Sequence, residues 1–237
     1  MLDFFKSFDI FLQDTGSGEN YLQWLMAAWG WTLAVSLAAW VVAIIVGVII
    51  GVLRTLPNRF IAFLANTWTE IFRNIPLLVQ IFIWYHVVPS LFISLKDIPS
   101  FALVFVGLGL FTSARIAEQV KAGIESLSKG QLQAGLALGL TRAQAYRFIL
   151  LPQAFRIIVP PLTSESMSII KNSSVAYAVS ISELTMFAMQ AGEETAKNIH
   201  MFLATTILYA VSALAVNEVS KFVERRLQFK TLRVGVK

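Results

Sequence analysis

The sequence predicts an all-α integral membrane protein with about five transmembrane helices. Hydrophobic residues make up 57% of the chain and charged residues 14%, and the mean hydropathy is +0.69. A soluble protein of this composition would expose large apolar patches. The net charge of +5 is spread over the ends of apolar stretches, which is typical of membrane topology signals rather than of nucleic-acid binding. The chain contains no cysteine, which excludes a disulfide framework and a thiol nucleophile.

Residues 1–19 are predicted to be an extracytoplasmic amphipathic segment. The segment lacks the positive leading region of a cleavable signal peptide, so we expect it to stay attached. Helical periodicity gives it one apolar face that would lie in the membrane interface. That face consists of Met1, Phe4, Phe5, Phe8, Phe11 and Leu12.

The transmembrane domain is predicted to cover residues 20–225 and to contain five apolar stretches long enough to cross a bilayer. The fourth stretch is interrupted by two prolines and by the charged residues Glu165 and Lys171. The other four are apolar over most of their length. The predicted spans are residues 25–53, 60–88, 98–114, 157–181 and 199–216.

The distribution of lysine and arginine predicts the orientation of these spans. Residues 54–60, 115–156 and 221–237 hold fourteen of them, whereas residues 1–24, 89–100 and 185–199 hold three. Positive loops stay on the cytoplasmic side. The N-terminus is therefore expected outside and the C-terminus inside, with residues 226–237 as a basic cytoplasmic tail. Opposite termini require an odd number of crossings, which supports the interrupted fourth span.

A polar, capped helix–turn–helix is predicted at about residues 128–152, on the cytoplasmic side. Gly139 can adopt the left-handed conformation that ends a helix, and Thr141 with Gln144 forms a capping-box pattern that begins another. Pro152 is expected to break the second helix before the chain re-enters the membrane. From spacing alone, this segment either packs against its own bundle or docks a cytoplasmic partner.

The sequence KGQLQAGLALG at residues 129–139, followed by ILLPQA at 149–154, resembles the cytoplasmic coupling signature of permease subunits of ATP-binding cassette importers. In that family the signature usually begins Glu-Ala-Ala, whereas this chain lacks the acidic residue. The resemblance implies that ATPase coupling involves Gln131, Gln133, Ala134, Gly135, Gly139 and Leu140.

Further motifs narrow the resemblance to the polar amino acid uptake permeases. They are EIFRNIPLLVQ at residues 70–80, KNSS at 171–174 and SELT at 182–185. Within that group, FTSAR at 111–115 followed by EQV at 118–120 resembles the permeases of glutamate/aspartate importers.

The resemblance implies a multi-pass subunit of the bacterial inner membrane that catalyses no chemistry itself. It implies a second, related permease subunit, two cytoplasmic ATPase subunits and an extracytoplasmic solute-binding protein as partners, besides membrane lipid and an acidic amino acid. ATP and Mg²⁺ would bind the ATPase, so no cofactor is expected in this chain. The absence of a GxxxxGK[ST] sequence agrees with that division of labour.

Charged residues within apolar stretches are candidates for the substrate path because a membrane accepts them only when they are paired or hydrated. Arg115 is a candidate ligand for a substrate carboxylate; alternatively, it reaches the cytoplasmic surface or pairs with Glu118. Lys171 either lies on the path or pairs with another helix. Arg73 and Glu70 are expected to form a stabilising pair. The residues predicted on the substrate path are Arg115, Glu118, Lys171, Asn172, Ser173 and Ser174.

The function predicted from the sequence is ATP-driven import of glutamate or aspartate by alternating access. Two alternatives remain open at this point. One is a permease for another polar amino acid, in which Arg115 would be structural. The other is a channel or a signalling membrane protein, although the sequence contains no Gly-rich filter repeat.

Overall fold

The computed structural model describes residues 7–228, and the regular structure within them is helical apart from one isolated bridge between Asp14 and Asn20. Short 3₁₀ segments lie at Ser7–Leu12, Ile93–Leu95 and Ser173–Val179, and π-helical turns at Ile83–Val87 and Tyr146–Leu150. The α-helices are α1 (Tyr21–Leu53), α2 (Arg59–Asn74), α3 (Leu77–Phe82), α4 (Val88–Leu91), α5 (Ser100–Glu125), α6 (Lys129–Ala137), α7 (Arg142–Ala145), α8 (Leu151–Asn172), α9 (Leu184–Thr195) and α10 (Asn198–Gln228).

Three helices within the described residues are long and apolar enough to cross a membrane: α1, α5 and most of α10, Asn198–Arg226. They coincide with the first, third and fifth predicted spans. The all-helical membrane fold is thus confirmed. The helix that contains the third predicted span is longer than that span, because α5 continues from residue 114 to Glu125.

The second predicted span is wrong as a single continuous helix. It is broken between Asn74 and Leu77, and the segments Arg59–Asn74 and Leu77–Leu91 bend by 105° at the break. Ile75, before Pro76, has φ −89° and ψ 128°, the extended conformation that a following proline imposes. These segments add a fourth candidate span if they are counted as one.

The predicted fourth span corresponds to α8 and the 3₁₀ segment Ser173–Val179. Pro160 and Pro161 lie inside α8 rather than ending it. Pro152 does not break the helix either, which corrects the sequence-based expectation. The preceding turn is π-helical, with the Leu151 N–H donating to the carbonyl of Tyr146. The wider turn relieves the clash that a proline ring makes with the preceding α-helical turn.

By contacts, the chain divides into two compact units. The first contains the described residues up to Ala39, with Leu77–Leu108 and Ile169–Leu214. Its core includes the N-terminal 3₁₀ segment, where Ile10 and Phe11 are buried. The prediction that Phe11 faces the membrane interface is therefore wrong, because it packs into protein. Leu12 is exposed, and Met1, Phe4 and Phe5 of the predicted apolar face lie outside the described residues.

A buried polar cluster ties α1, α9 and α10 together in this first unit. Glu183 caps α9 by accepting hydrogen bonds from the backbone N–H groups of Thr185 and Met186, and Tyr209 donates its hydroxyl proton to the same carboxylate. Thr32 of α1 accepts a hydrogen bond of 3.1 Å from the Leu184 N–H. These contacts satisfy the orphan donors at the start of α9.

The second unit contains Trp40–Pro76, Gly109–Ser168 and the described residues from Ala215 on. Within it, α1 crosses α5 closely at two glycines one turn apart. A Cβ at Gly47 would lie 2.7 Å from Ile116 Cβ and 2.9 Å from the carbonyl oxygen of Ser113, and a Cβ at Gly51 would lie 2.5 Å from Val120 Cβ. Small residues permit this approach, as between other membrane helices. The crossing fixes α5 and its charged side chains.

Replacing Gly47 by alanine should therefore destabilise the protein. The new methyl group has to displace Ile116 or part the two helices, and overpacking of this kind costs about 1–3 kcal/mol. The measurement is the thermal unfolding midpoint of the purified protein in detergent. Gly30→Ala is the matched control on the same helix, because a Cβ at Gly30 meets nothing within 4 Å. Equal midpoints for the two variants would contradict the close crossing.

Candidate functional site

One face of α5 carries three polar side chains and one aromatic ring. Phe111, Arg115, Glu118 and Gln119 are spaced at i, i+4, i+7 and i+8, which places them on the same side of a helix. Because α5 extends to Glu125, Arg115 lies well inside a continuous helix.

Arg115 pairs with Glu165 of α8. Its Nε donates a hydrogen bond to Glu165 Oε1 at 3.2 Å and lies 3.0 Å from Oε2 as an ion pair, and Gln119 Nε2 donates to Oε1 at 3.2 Å. The Glu165 side chain is only 8% exposed, whereas that of Arg115 is 48% exposed. The buried carboxylate is thus neutralised by a cation that still faces solvent-accessible space.

The alternative partner considered for Arg115, Glu118, is wrong. Glu118 accepts instead from Arg54 Nη2 at 2.7 Å and from Arg73 Nη1 at 3.2 Å. Arg54 is buried at the end of α1, and its Nε also donates to Asn66 of α2 at 2.7 Å. One carboxylate on α5 therefore joins the ends of two other helices.

The expected ion pair of Arg73 with Glu70 is present, but it is long. Their nearest charged atoms are 4.0 Å apart and both side chains are about half exposed. The contact of Arg73 with Glu118 is closer, at 3.2 Å. An exposed pair at the longer distance contributes little, so Glu118 is the partner that positions Arg73.

Side chains of α2, α5 and α8 surround a cavity of about 400 Å³ in the second unit. This volume falls in the range of about 300–1,000 Å³ that is usual for small-molecule sites. The cavity has two guanidinium groups and two carboxylates in its wall, which makes it a polar site in a largely apolar protein. It is lined by Arg73, Phe111, Arg115, Glu118, Gln119 and Glu165.

Two of the six residues predicted on the substrate path, Arg115 and Glu118, line this cavity. The remaining four, Lys171 and residues 172–174, belong to the first unit, where Lys171 is exposed and Ser173 is buried. Their role on a path stays a prediction. The sequence-based prediction notes Glu165 in the fourth stretch but does not place it on the substrate path, although a carboxylate within an apolar stretch is itself a signal. It counts Arg54 only as a topology charge.

The predicted cytoplasmic turn has the expected geometry. Gly139 has φ +83°, and a Schellman motif closes α6: the Leu140 N–H donates to Gly135 O and the Gly139 N–H to Leu136 O. Thr141 and Gln144 form a complete capping box at the start of α7. Gly135 is buried, and a Cβ there would lie 2.8 Å from Ile149 Cδ1.

The surface of this turn is apolar and exposed. Leu138 is 83% exposed and Phe148 63% exposed, and the Arg147 guanidinium lies 5.5 Å from the centre of the Phe148 ring. The predicted coupling residues Gln133, Ala134 and Gly139 are also exposed, while Gln131 and Leu140 are half-buried. Apolar side chains beside charges at a capped turn form a surface suited to a protein partner.

Comparison with known proteins identifies the family. The model of the family described as "binding-protein-dependent transport system inner membrane component" matches residues 43–229, which include every residue that lines the cavity and the turn at Gly139. The chain belongs to this family. Together with the relatives described next, this match confirms the resemblance drawn from the motifs: the chain is an amino acid permease of the ATP-binding cassette class.

Two relatives and one solved structure illustrate the range of this family. The glutamate/aspartate import permease protein GltJ of Escherichia coli strain K12 is 41% identical over 92% of this chain and 94% of its own length. The probable glutamine ABC transporter permease protein GlnM of Bacillus subtilis strain 168 is 32% identical over 83% and 90% of the two chains. A crystal structure of an amino acid ABC transporter with histidines has 27% identity and a TM-score of 0.76, covering 87% of this chain and 95% of the other.

Proposed function

We propose that this chain is the membrane-spanning subunit of an ATP-driven importer that carries glutamate and aspartate across a bacterial inner membrane by alternating access. The observation that carries this proposal is the charged cavity of the second unit, in which Arg73 and Arg115 line one space. The similarity to GltJ over nearly the whole of both chains supports the same substrate class.

The Arg115–Glu165 pair is complementary in charge to the zwitterionic group that all amino acids share. A zwitterion carries a carboxylate and an ammonium group on one carbon atom, and the cavity offers a guanidinium and a carboxylate side by side. Arg115 uses its Nε for Glu165, so its terminal nitrogens can donate to a ligand carboxylate. The ammonium group would then lie against Glu165 and Gln119.

A neutral polar amino acid is the second candidate substrate. The 32% identity to the probable glutamine permease favours it, because the zwitterion site would serve glutamine equally well. Uptake of glutamate, aspartate and glutamine by the reconstituted complex distinguishes the two. A channel or signalling role has no such support, and co-purification with an ATPase tests it.

The turn around Gly139 supports a cytoplasmic ATPase as partner. In this proposal two ATPase subunits bind ATP and Mg²⁺, and their movement acts on α6 and on exposed side chains such as Leu138. A second, related permease chain and an extracytoplasmic solute-binding protein complete the complex. This subunit carries no ATP chemistry of its own.

We further propose five membrane crossings, with the N-terminus outside and the C-terminus inside. Three helices and the broken pair Arg59–Asn74 and Leu77–Leu91 supply up to four candidates. The segment from α8 through residue 179 would be the fifth crossing. The charge asymmetry of the sequence supports the orientation.

Single cysteines introduced into this cysteine-free chain should reveal the orientation. Cysteine at Ser17 should react from outside with a membrane-impermeant thiol reagent in intact cells, whereas cysteine at Gln133 should not. Both positions are exposed in the structure, so burial does not explain a difference. Labelling at Gln133 is expected once the membrane is permeabilised; labelling in sealed cells would refute the orientation.

Replacing Gly139 by valine should uncouple the subunit from its ATPase. A Cβ at Gly139 meets nothing within 4 Å, but φ is +83°, so a β-branched residue strains the backbone of the turn. We expect the protein to insert and the ligand-stimulated ATP hydrolysis to be lost. Gly130→Val in the first turn of the same helix, where φ is not positive, is the control. Normal ligand-stimulated ATP hydrolysis in Gly139→Val would show that the turn has only a structural role.

Replacing Arg115 by glutamine should weaken transport of both glutamate and aspartate. Arg115 is 48% exposed, and a bound ligand would desolvate it, so that truncating this partner of the charge pair should cost about 2–5 kcal/mol. Arg115→Lys should rescue transport only partly because it loses the bidentate fork. The measurement is uptake by proteoliposomes with one preparation of binding protein throughout.

The single variant also leaves Glu165 buried without its cation, which is itself destabilising. The double variant Arg115→Gln, Glu165→Gln removes both charges and should assemble normally without recovering transport. Lys121→Gln removes a cation from the same helix outside the cavity lining and serves as the control. Full transport by the double variant would exclude Arg115 from the substrate site.

A further inference from the structure

A polar ridge is exposed along the 3₁₀ segment Ser173–Val179 of the first unit and the residues that flank it. Side chains three residues apart lie above one another in a 3₁₀ helix, and burial in this segment has the same period. The buried side chains are Ser173, Ala176 and Val179. The polar ridge consists of Lys171, Tyr177 and Ser180, which are exposed, and Ser174, which is half-buried.

The backbone under the polar ridge is firmly held. The 3₁₀ segment packs against α3 and α9, and it ends at Ser180 in the left-handed conformation, with φ 61° and ψ 30°. The Ser180 N–H donates to Tyr177 O at 3.1 Å, and the Ile181 N–H donates to Ala176 O at 3.3 Å. A positive φ is uncommon in residues other than glycine, and it persists where the surrounding structure fixes it, often at functional surfaces.

Two side chains of the polar ridge have no polar partner within residues 7–228. The Lys171 ammonium group forms no ion pair there, and the Tyr177 hydroxyl group forms no hydrogen bond. The carboxylate nearest to Lys171 along α8, Glu165, is paired with Arg115 instead. The Ser174 hydroxyl group, by contrast, donates to the carbonyl of Lys171 at 2.7 Å. The ridge therefore presents one free cation and one free hydroxyl group.

The polar ridge is not suited to contact with lipid. It lies within the apolar stretch 157–181 and within the proposed fifth crossing, where an unpaired charge facing hydrocarbon is costly. In the same unit, α1 exposes large apolar side chains such as Leu33 and Leu37, which hydrocarbon accepts. Polar groups must therefore cover the ridge in the membrane.

We propose that the polar ridge is a contact surface for the second permease subunit, and that Lys171 pairs there with a carboxylate of that subunit. This inference rests on the proposed function, which supplies the second permease chain and the fifth crossing. Tyrosine is enriched at protein interfaces, and a rigid surface loses little entropy on binding. An ammonium group that a partner desolvates needs a carboxylate. A water-filled path is the alternative cover for the ridge.

Photo-cross-linking in cells tests the contact directly. Tyr177→p-benzoylphenylalanine keeps an aromatic side chain on the ridge, and Leu37→p-benzoylphenylalanine is the control, because Leu37 is 66% exposed on the apolar face of α1. After irradiation the tagged chain is purified and its products are identified by mass spectrometry. We expect a product with the second permease subunit from position 177 and none from position 37.

Two results of this experiment would overturn the inference. One is a complex that contains the second permease subunit but gives no product with it from position 177. The other is equal cross-linking from positions 177 and 37, since the contact would then not be specific to the ridge.

Charge substitutions at Lys171 test the ion pair. Lys171→Glu should lower the ratio of second subunit to tagged chain in the purified complex about tenfold or more, because like charges placed together cost several kcal/mol. Lys171→Met should lower it less, since it only leaves the partner carboxylate unpaired. Lys197→Glu makes the same charge change between α9 and α10 and should assemble like the wild type.

A wild-type ratio in Lys171→Glu would overturn the ion pair. Normal assembly of Lys171→Met with reduced uptake would place the ridge on a water-filled path and overturn the inference as well. The cross-linking experiment keeps Lys171 intact, so it decides the question even where Lys171→Glu fails to insert.

Failure of the proposed function gives a different result. If the mass of the wild-type complex shows a single permease chain, the proposed composition is wrong and the inference falls with it. If the second subunit is present but the complex transports neither glutamate nor aspartate, the substrate class is wrong while the contact stands. Cross-linking at position 177 in a complex that transports both supports both proposals.

Discussion

The pairing of charges inside an apolar bundle is the constraint on which the second unit depends. An unpaired carboxylate or guanidinium in such surroundings is costly, so Glu118 and Glu165 each require a cation from a neighbouring helix. Glu118 joins the ends of α1 and α2 to α5, and Glu165 joins α8 to it. The close crossing at Gly47 and Gly51 brings the backbones near enough for these contacts. Packing and charge pairing thus define the same cavity.

Local backbone breaks decide where these side chains lie. The extended conformation at Ile75 ends α2 at Asn74, which leaves the guanidinium of Arg73 in the last turn of the helix, where it lines the cavity. The π-helical turn Tyr146–Leu150 has the opposite effect, because it lets the helix continue past Pro152 into α8 and carries Glu165 into the unit. In this chain, therefore, the helix breaks before Pro76 but continues past Pro152, where the preceding turn is wider.

The relatives of this chain are named for different amino acid substrates. Relatives named for glutamate/aspartate and for glutamine both match this chain over most of its length. If the Arg115–Glu165 pair binds the zwitterion that all amino acids share, as proposed, discrimination between these ligands needs only a change in the groups that meet the substrate side chain.

The sequence by itself determined the helical membrane class, the family and the geometry of the turn at Gly139, because hydropathy, the short motifs, and the Gly139 and Thr141 caps are local signals. It also singled out Arg115, since a charge in an apolar stretch stands out without a structure. Only the tertiary structure decided which carboxylate each arginine meets. Glu165 lies 50 residues from Arg115, and Glu118 has partners on two other helices. Sequence spacing predicts neighbours along one helix, but pairing between helices depends on their packing, and packing directed Arg115 to Glu165 and Arg73 to Glu118.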